Sequence, residues 1–418
     1  MYKNMSLAVF FKIISAILGF VTVPILMKTI GVENYGLWAA LVSVLGTIAL
    51  FDFGLGQTLK NSIAEYLARE ESHNVKKEIL LNLFLAMKIS VVILICFFIL
   101  FPMVDIWKDN AFITILLYSF FILTFPLSMG NMILQGSRDI GIQSAITVIA
   151  PLLFILFLYL FPKDSIQSIT LIYIISFFIS YFFLWFFILR RFDFKITKFN
   201  SSILKEKLQK EKINTSLNFF VIQLSSLILY SIGTFIVINA IDKTSAAYYD
   251  SLNKIFLFAM SLFNIGVAVF WPEVTRMKTL KNFQGIFKIY KVMLALSIFF
   301  SLGVIFLAYI TPTLGEWWLG DFIKIRREDA YFFAALSIVQ SLAYAGAVIL
   351  NAFEDIRIQT YLSVISIIIM YPLCKFFIAL GMGMVSIPFS AMLITLIPMI
   401  YCNFKAIYVI KNGTKEEC

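Results

Sequence analysis

Five charged side chains stand inside long apolar stretches of this chain: Lys12, Asp52, Lys88, Lys254 and Lys375. A charge at that depth costs about 3 kcal/mol or more, so such residues mark functional sites by default. Four of the five are cations, and a lumen lined by more lysines than carboxylates prefers an anion such as phosphate. Amides accompany them at Gln57, Asn131, Gln135, Asn218, Gln223, Asn264, Gln340 and Asn351. Amides and aromatic rings suit sugar hydroxyls. Lys88 lies about two turns from the end of its stretch and is expected to snorkel toward water, an option also open to Lys254. Asp52, in the stretch FDFGLG, could pair with Lys12 or carry a proton, and the sequence supports both.

Helical spacing arranges some of these residues. Lys12, Ser15, Gly19 and Thr22 step by 3, 4 and 3, which keeps them on one helix face. Gln223, Ser226, Tyr230 and Gly233 step identically, at an offset of 211. A helix facing lipid on all sides has no use for such a stripe. Close packing through small residues accounts for Ser15, Gly19 and Gly233. It does not account for Lys12, which is long and charged.

The solvent for these helices is lipid. The chain is 61% hydrophobic and 14% charged, with a mean hydropathy of +0.92. Soluble domains run at about 45–50% apolar and about 25% charged. About 20 apolar residues of helix cross the hydrocarbon core. Twelve such stretches are expected, at roughly 6–29, 35–57, 79–101, 111–135, 142–161, 166–189, 216–240, 250–272, 289–311, 330–352, 358–380 and 385–410. The first is read as a permanent span, because it continues to Met27 with no A-x-A-like cleavage site. Basic residues set the orientation. The 190–215 connector holds Arg190, Arg191, Lys195, Lys198, Lys205, Lys207, Lys210 and Lys212, and the loops at 58–78 and 273–291 are also basic. Both termini are therefore expected in the cytoplasm, and the net charge of +10 is a topology signal that also attracts anionic lipid headgroups. No nucleic-acid-binding motif accompanies it.

Two stretches half a chain apart nearly repeat. GNMILQGSRDIGIQ at 130–143 and GAVILNAFEDIRIQ at 346–359 agree at seven of fourteen positions, at an offset of 216. Each joins the fourth span of a six-span set to the fifth. An even number of spans between them gives both halves the same orientation, as in transporters built from parallel repeats. The expected fold is thus an all-α integral membrane protein of about twelve helices in two six-helix repeats, a transporter fold with a central cavity. The first bundle occupies 1–189, the basic cytoplasmic linker 190–215 and the second bundle 216–418. LKEKLQKEK within the linker is expected to form a short interfacial helix. Prolines inside spans, at Pro24, Pro126, Pro151, Pro372 and Pro398, are expected to kink them.

Other chemistries find little support. Cys96, Cys374, Cys402 and Cys418 are spaced for neither a disulfide framework nor a metal, and the single His73 lies in a polar loop. No metal, cofactor or catalytic group is expected. A polysaccharide polymerase would be expected to carry large outward loops, and the longest here, around 312–329, is short.

Residues 29–70, TIGVENYGLWAALVSVLGTIALFDFGLGQTLKNSIAEYLARE, resemble the start of Wzx-type O-antigen flippases of the multidrug/oligosaccharidyl-lipid/polysaccharide exporter superfamily. The G-x-x-x-Y-G-L-W stretch at Gly31–Trp38, the D-F-G-L-G stretch at Asp52–Gly56 and the Q-G-x-x-[DN] hinge at Gln135–Asp139 carry the likeness. The resemblance implies a multi-pass flippase of the bacterial inner membrane, active in lipopolysaccharide biosynthesis and not an enzyme. It would move an undecaprenyl-diphosphate-linked oligosaccharide from the cytoplasmic to the periplasmic leaflet by alternating access. Membrane lipids and other polysaccharide assembly proteins are the implied partners. The coupling ion, proton or sodium, stays open. Lys12, Lys254 and Lys375 are the candidates for the diphosphate. Ser15, Thr22, Asp52, Gln57, Asn131, Gln223, Tyr230 and Asn264 complete the candidate substrate contacts. A multidrug or metabolite exporter of the same superfamily is the alternative.

Overall fold

The structure is a computed structural model that describes residues 2–50, 55–161, 165–192, 210–267, 270–353 and 355–416. Asp52, Cys418 and residues 193–209, most of the expected interfacial stretch, lie outside the described residues, as do the side chains of Gln57 and Asn218. The described residues form helices and turns, with no strand among them.

The chain divides into two compact units, one of 1–31 and 44–220, the other of 32–43 and 221–418. The first unit contains most of α1 (Tyr2–Leu50), then α2 (Leu55–Ala68), α3 (Ser72–Leu100), α4 (Asp105–Asp109), α5 (Ala111–Ser128), α6 (Gly130–Gly136), α7 (Ile140–Leu160) and α8 (Ile166–Arg191). The second unit, after the start of α9 (Lys210–Tyr230), holds α10 (Gly233–Ala240), α11 (Lys243–Val267), α12 (Phe270–Thr279), α13 (Phe283–Leu319), α14 (Arg327–Phe353), α15 (Arg357–Ala379) and α16 (Ser386–Glu416).

Among the described residues nine helices are long and apolar enough to cross a membrane, and α9 from Phe220 together with α10, bent by 50°, is apolar enough to be a tenth if the two form one broken span. The sequence leads one to expect twelve, and two helices bear on the difference. Helix α1 breaks at Gly31 (φ 79°, ψ 164°) and so contains two of the expected spans. Helix α11 is less apolar because Asp250, Asn253, Lys254 and Asn264 interrupt it. Many large apolar side chains point outward, among them Phe98, Phe182, Phe299 and Phe306. Such a surface has lipid as its solvent, and the protein is a multi-pass membrane protein.

Local chemistry marks the helix ends. Ser165 Oγ accepts from Ser168 N at 3.2 Å at the start of α8, and Asn282 Oδ1 accepts from Gly285 N at 2.8 Å at the start of α13. Gly320 (φ 58°) ends α13, a conformation open to glycine at little cost. In the first unit, aromatic rings knit the helices. Phe97 of α3 contacts both Trp107 and Tyr118 edge-on or tilted, and Tyr173 of α8 meets Phe121 and Phe154. In the second, Val274, Tyr290, Met293, Val348, Ile349 and Ala406 form a buried core joining α12, α13, α14 and α16.

The repeated stretch occupies the same place in each unit. Asp139 N donates to Leu134 O at 2.8 Å, and Asp355 N donates to Leu350 O at 3.0 Å. Each aspartate pairs with a cation on the last helix of its own unit: Arg191 at 3.3 Å and Lys405 at 3.5 Å. The glycines that open the stretch lie against that same last helix. A Cβ at Gly130 would meet Leu184 Cδ2 at 2.8 Å, and one at Gly346 would meet the Cys402 backbone carbon at 2.5 Å. A side-chain end can shift where a helix backbone cannot. Gly346→Ala is therefore expected to destabilise by about 2 kcal/mol, and Gly130→Ala by about half of that. Thermal unfolding of the two purified variants checks the order, and equal losses would refute the close backbone approach at Gly346.

Candidate functional site

The first candidate stripe lies on α1. Lys12 and Gly19 are exposed and Ser15 is half-buried. A Cβ at Gly19 would meet nothing within 4 Å, so close helix packing does not explain that glycine. Thr22 Oγ1 donates to Leu18 O at 2.7 Å, which leaves its oxygen lone pairs as its remaining capacity. The matching stripe, whose first three residues lie on α9 and whose Gly233 opens α10, behaves differently. A Cβ at Gly233 would run into the Tyr249 ring, so there the packing reading holds. Gln223 and Ser226 are exposed, and the Tyr230 hydroxyl bonds Thr395 at 2.9 Å.

Lys254 belongs to a cluster that sequence reasoning half missed. Its ammonium lies 2.5 Å from Asp250 Oδ2 and 2.8 Å from the Tyr35 hydroxyl. Tyr35 also donates to Asp250 Oδ2, and Thr234 Oγ1 reaches Asp250 Oδ1 at 3.4 Å. Asp250 and Tyr35 are buried. The signal for Asp250 was its i,i+4 spacing from Lys254, which places the two side chains together on one helix face. The pair is close to neutral, and a diphosphate at Lys254 would have to compete with Asp250.

The segment bearing Tyr35 explains the G-x-x-x-Y-G-L-W stretch. Gly31 breaks α1, Tyr35 reaches the ion pair, and Leu37 and Trp38 are buried. A Cβ on Gly36 would overlap the Lys243 carbonyl oxygen. Val32–Ser43 thereby packs into the second unit.

Lys375 is exposed on α15, its ammonium 5.0 Å from the centroid of the Tyr371 ring. It shares a face with the exposed Tyr361, Ile365 and Ile368. Lys88 is likewise exposed, over the Phe84 ring at 4.4 Å. Asn131 accepts from Gln143 Nε2 at 3.2 Å and donates to Ser128 O.

Tyr230 and Asn264 do come together, on the wall of a cavity of about 260 Å³ inside the second unit. Gln340, Tyr344, Gln359 and Ser363 share that wall, which carries amides, hydroxyls and aromatic rings but no charged side chain. Among the described residues, no three His, Cys, Asp or Glu side chains gather as a metal site.

Residues 1–278 match the family model described as "Polysaccharide biosynthesis protein". No curated protein matches the sequence. Among solved structures, the chain is similar to an inward-facing multidrug resistance MATE family transporter of the MOP superfamily, with a TM-score of 0.75 at 12% identity over 97% of this chain and 96% of that one. It is also similar to a MATE protein in complex with MaL6, with a TM-score of 0.64 at 13% identity over 99% and 97% of the two chains. An outward-facing MATE transporter gives a TM-score of 0.61 at 13% identity over 99% and 94%. At these identities the likeness is one of fold: the chain shares the fold of these proteins.

Proposed function

The chain belongs to the polysaccharide biosynthesis protein family, and from that premise we propose that it is a flippase for an undecaprenyl-diphosphate-linked oligosaccharide such as an O-antigen repeat unit. It acts in the bacterial inner membrane, with both termini cytoplasmic, and moves its cargo by alternating access of the two halves, 1–189 and 216–418. The family match carries the reading. The chemistry of the candidate residues supports it. The intramembrane cations Lys12 and Lys375 suit a diphosphate, and the uncharged amide and hydroxyl wall of the second unit suits sugar. An exporter of cationic drugs would more naturally line its cavity with carboxylates. The MATE fold keeps that exporter as the second reading.

Cells lacking the protein should accumulate lipid-linked repeat units on the cytoplasmic leaflet, measured by extracting the glycolipid after probing each leaflet separately. Wild type should clear them. Lys12→Ala and Lys375→Ala should each slow clearance about tenfold, as expected for one lost charge-assisted hydrogen bond. Normal outward display in the deletion strain would remove the flippase reading and direct attention to dye efflux. Full rescue by both variants would keep the function and discard those two lysines.

A further inference from the structure

Two loops on the proposed cytoplasmic side hold corresponding places in the two repeats and differ in charge. The loop at 58–78 has four cations and four carboxylates, whereas that at 273–291 has five cations and Glu273 alone. Membrane orientation is set by lysine and arginine, and carboxylates contribute little to it. It therefore accounts for the cations of both loops and not for the uncompensated charge of the second. Glu273 pairs with Arg276. Among the described residues, Lys281, Lys288 and Lys291 have no carboxylate partner, and all three are exposed. Such a surface attracts anionic headgroups.

Helix α13 leads from that charge into hydrocarbon. Phe299, Leu302 and Phe306 on its outer face are 76%, 64% and 63% exposed. Lys291 precedes them, its ammonium 4.4 Å from the centroid of the Phe287 ring. Tyr309 follows them, with the Arg327 guanidinium 4.4 Å from its ring centroid. The helix rises about 27 Å from Lys291 to Tyr309, close to the roughly 30 Å of a hydrocarbon core. The two cations thus mark the two headgroup planes.

An apolar groove of about 330 Å³ lies between α11 and α13, with Phe299 on its wall. Its α13 wall runs from Leu296 to Leu307, which helix rise places about 8 and about 24 Å beyond Lys291. Lys288 stands three helical turns before Phe299 and so on the same side of α13. Gly266 and Gly303 line the groove, and a Cβ at either would meet nothing within 4 Å. Neither glycine serves close packing, and both leave the groove open. A phospholipid chain ends near the midplane, about 15 Å from its own headgroup plane. The groove continues past that depth. Its full length calls for a chain longer than one leaflet is thick, as an undecaprenyl chain is.

We propose that this groove, with Lys281, Lys288 and Lys291 at its cytoplasmic end, is a docking surface for the undecaprenyl diphosphate carrier, the diphosphate on the lysines and the chain between α11 and α13. The proposal rests on the flippase reading and adds where the carrier is held while still in the cytoplasmic leaflet.

The test uses the full-length protein in phosphatidylcholine nanodiscs. Two lipids are titrated and compared by the thermal shift each produces: undecaprenyl diphosphate and dioleoyl phosphatidylglycerol. Wild type should be stabilised more by the first. Gly266→Leu and Gly303→Leu each fill the groove with a better helix former. Their ligand-free midpoints should be unchanged or higher, and each should weaken undecaprenyl diphosphate binding about tenfold. Lys288→Gln combined with Lys291→Gln should weaken it to a similar degree, and arginine at both positions should keep it. If all these variants keep the wild-type shift, the docking surface is overturned and the flippase reading stands. If phosphatidylglycerol shifts wild type as much as the carrier does, the surface is a seat for phospholipid and the proposal is overturned. If neither lipid shifts wild type but ethidium does, the flippase reading falls and the docking surface with it.

Discussion

Gly36→Ala is expected to lower stability by about 3 kcal/mol, at the upper end of what overpacking costs, and to abolish transport with it. The added Cβ would overlap the Lys243 carbonyl oxygen and lie 3.0 Å from Ala247 N. Both belong to the first turns of α11, so two backbones approach here with no side chain between them. Neither can yield without moving its helix. The displaced segment would be Val32–Ser43, whose Tyr35, Leu37, Trp38, Ala39, Ala40 and Leu41 are all buried. Gly19→Ala on the same helix is the control, since its Cβ would meet nothing within 4 Å. It should be neutral or stabilising by up to about 1 kcal/mol through helix propensity. Thermal unfolding of both variants, purified in one detergent, makes the comparison. Similar midpoints would mean that the close approach at Gly36 does not hold this segment in place.

The contrast between Gly36 and Gly19 shows where sequence reading stops. The spans were legible because hydrocarbon imposes a length and a composition on any helix that crosses it. The repeat was legible because both copies meet one requirement: a turn whose aspartate pairs with the last helix of its unit. Glycines in a stripe were not separable by sequence. Gly233 lies against Tyr249 and Gly19 faces open space, and only the neighbours distinguish them. Long-range partners were equally hidden. Nothing near Tyr35 in sequence points to Asp250, 215 positions away, and sequence continuity would leave Val32–Ser43 with the helices around it.

Asp250→Leu should be the most damaging single side-chain change in the second unit, and Lys254→Met should largely undo it. Asp250 accepts from Lys254, Tyr35 and Thr234. Removing it leaves an ammonium in an apolar bundle with the Tyr35 hydroxyl beside it at 2.8 Å. Removing one member of a buried pair costs about 3–5 kcal/mol, whereas replacing both with apolar residues is often neutral or stabilising. The Lys254 side chain is 34% exposed, which screens its charge and places the loss toward the lower figure. A double-mutant cycle on thermal stability measures the coupling. If the double variant is as unstable as Asp250→Leu, the pair is not what ties α11 to the Tyr35 segment. If stability returns, transport separates two roles for the same residues. A double variant that is stable and active would make the pair a structural tie, with the diphosphate recognised elsewhere. One that is stable but inactive would place the charges of Asp250 and Lys254 in the transport cycle, because packing alone would then have been restored.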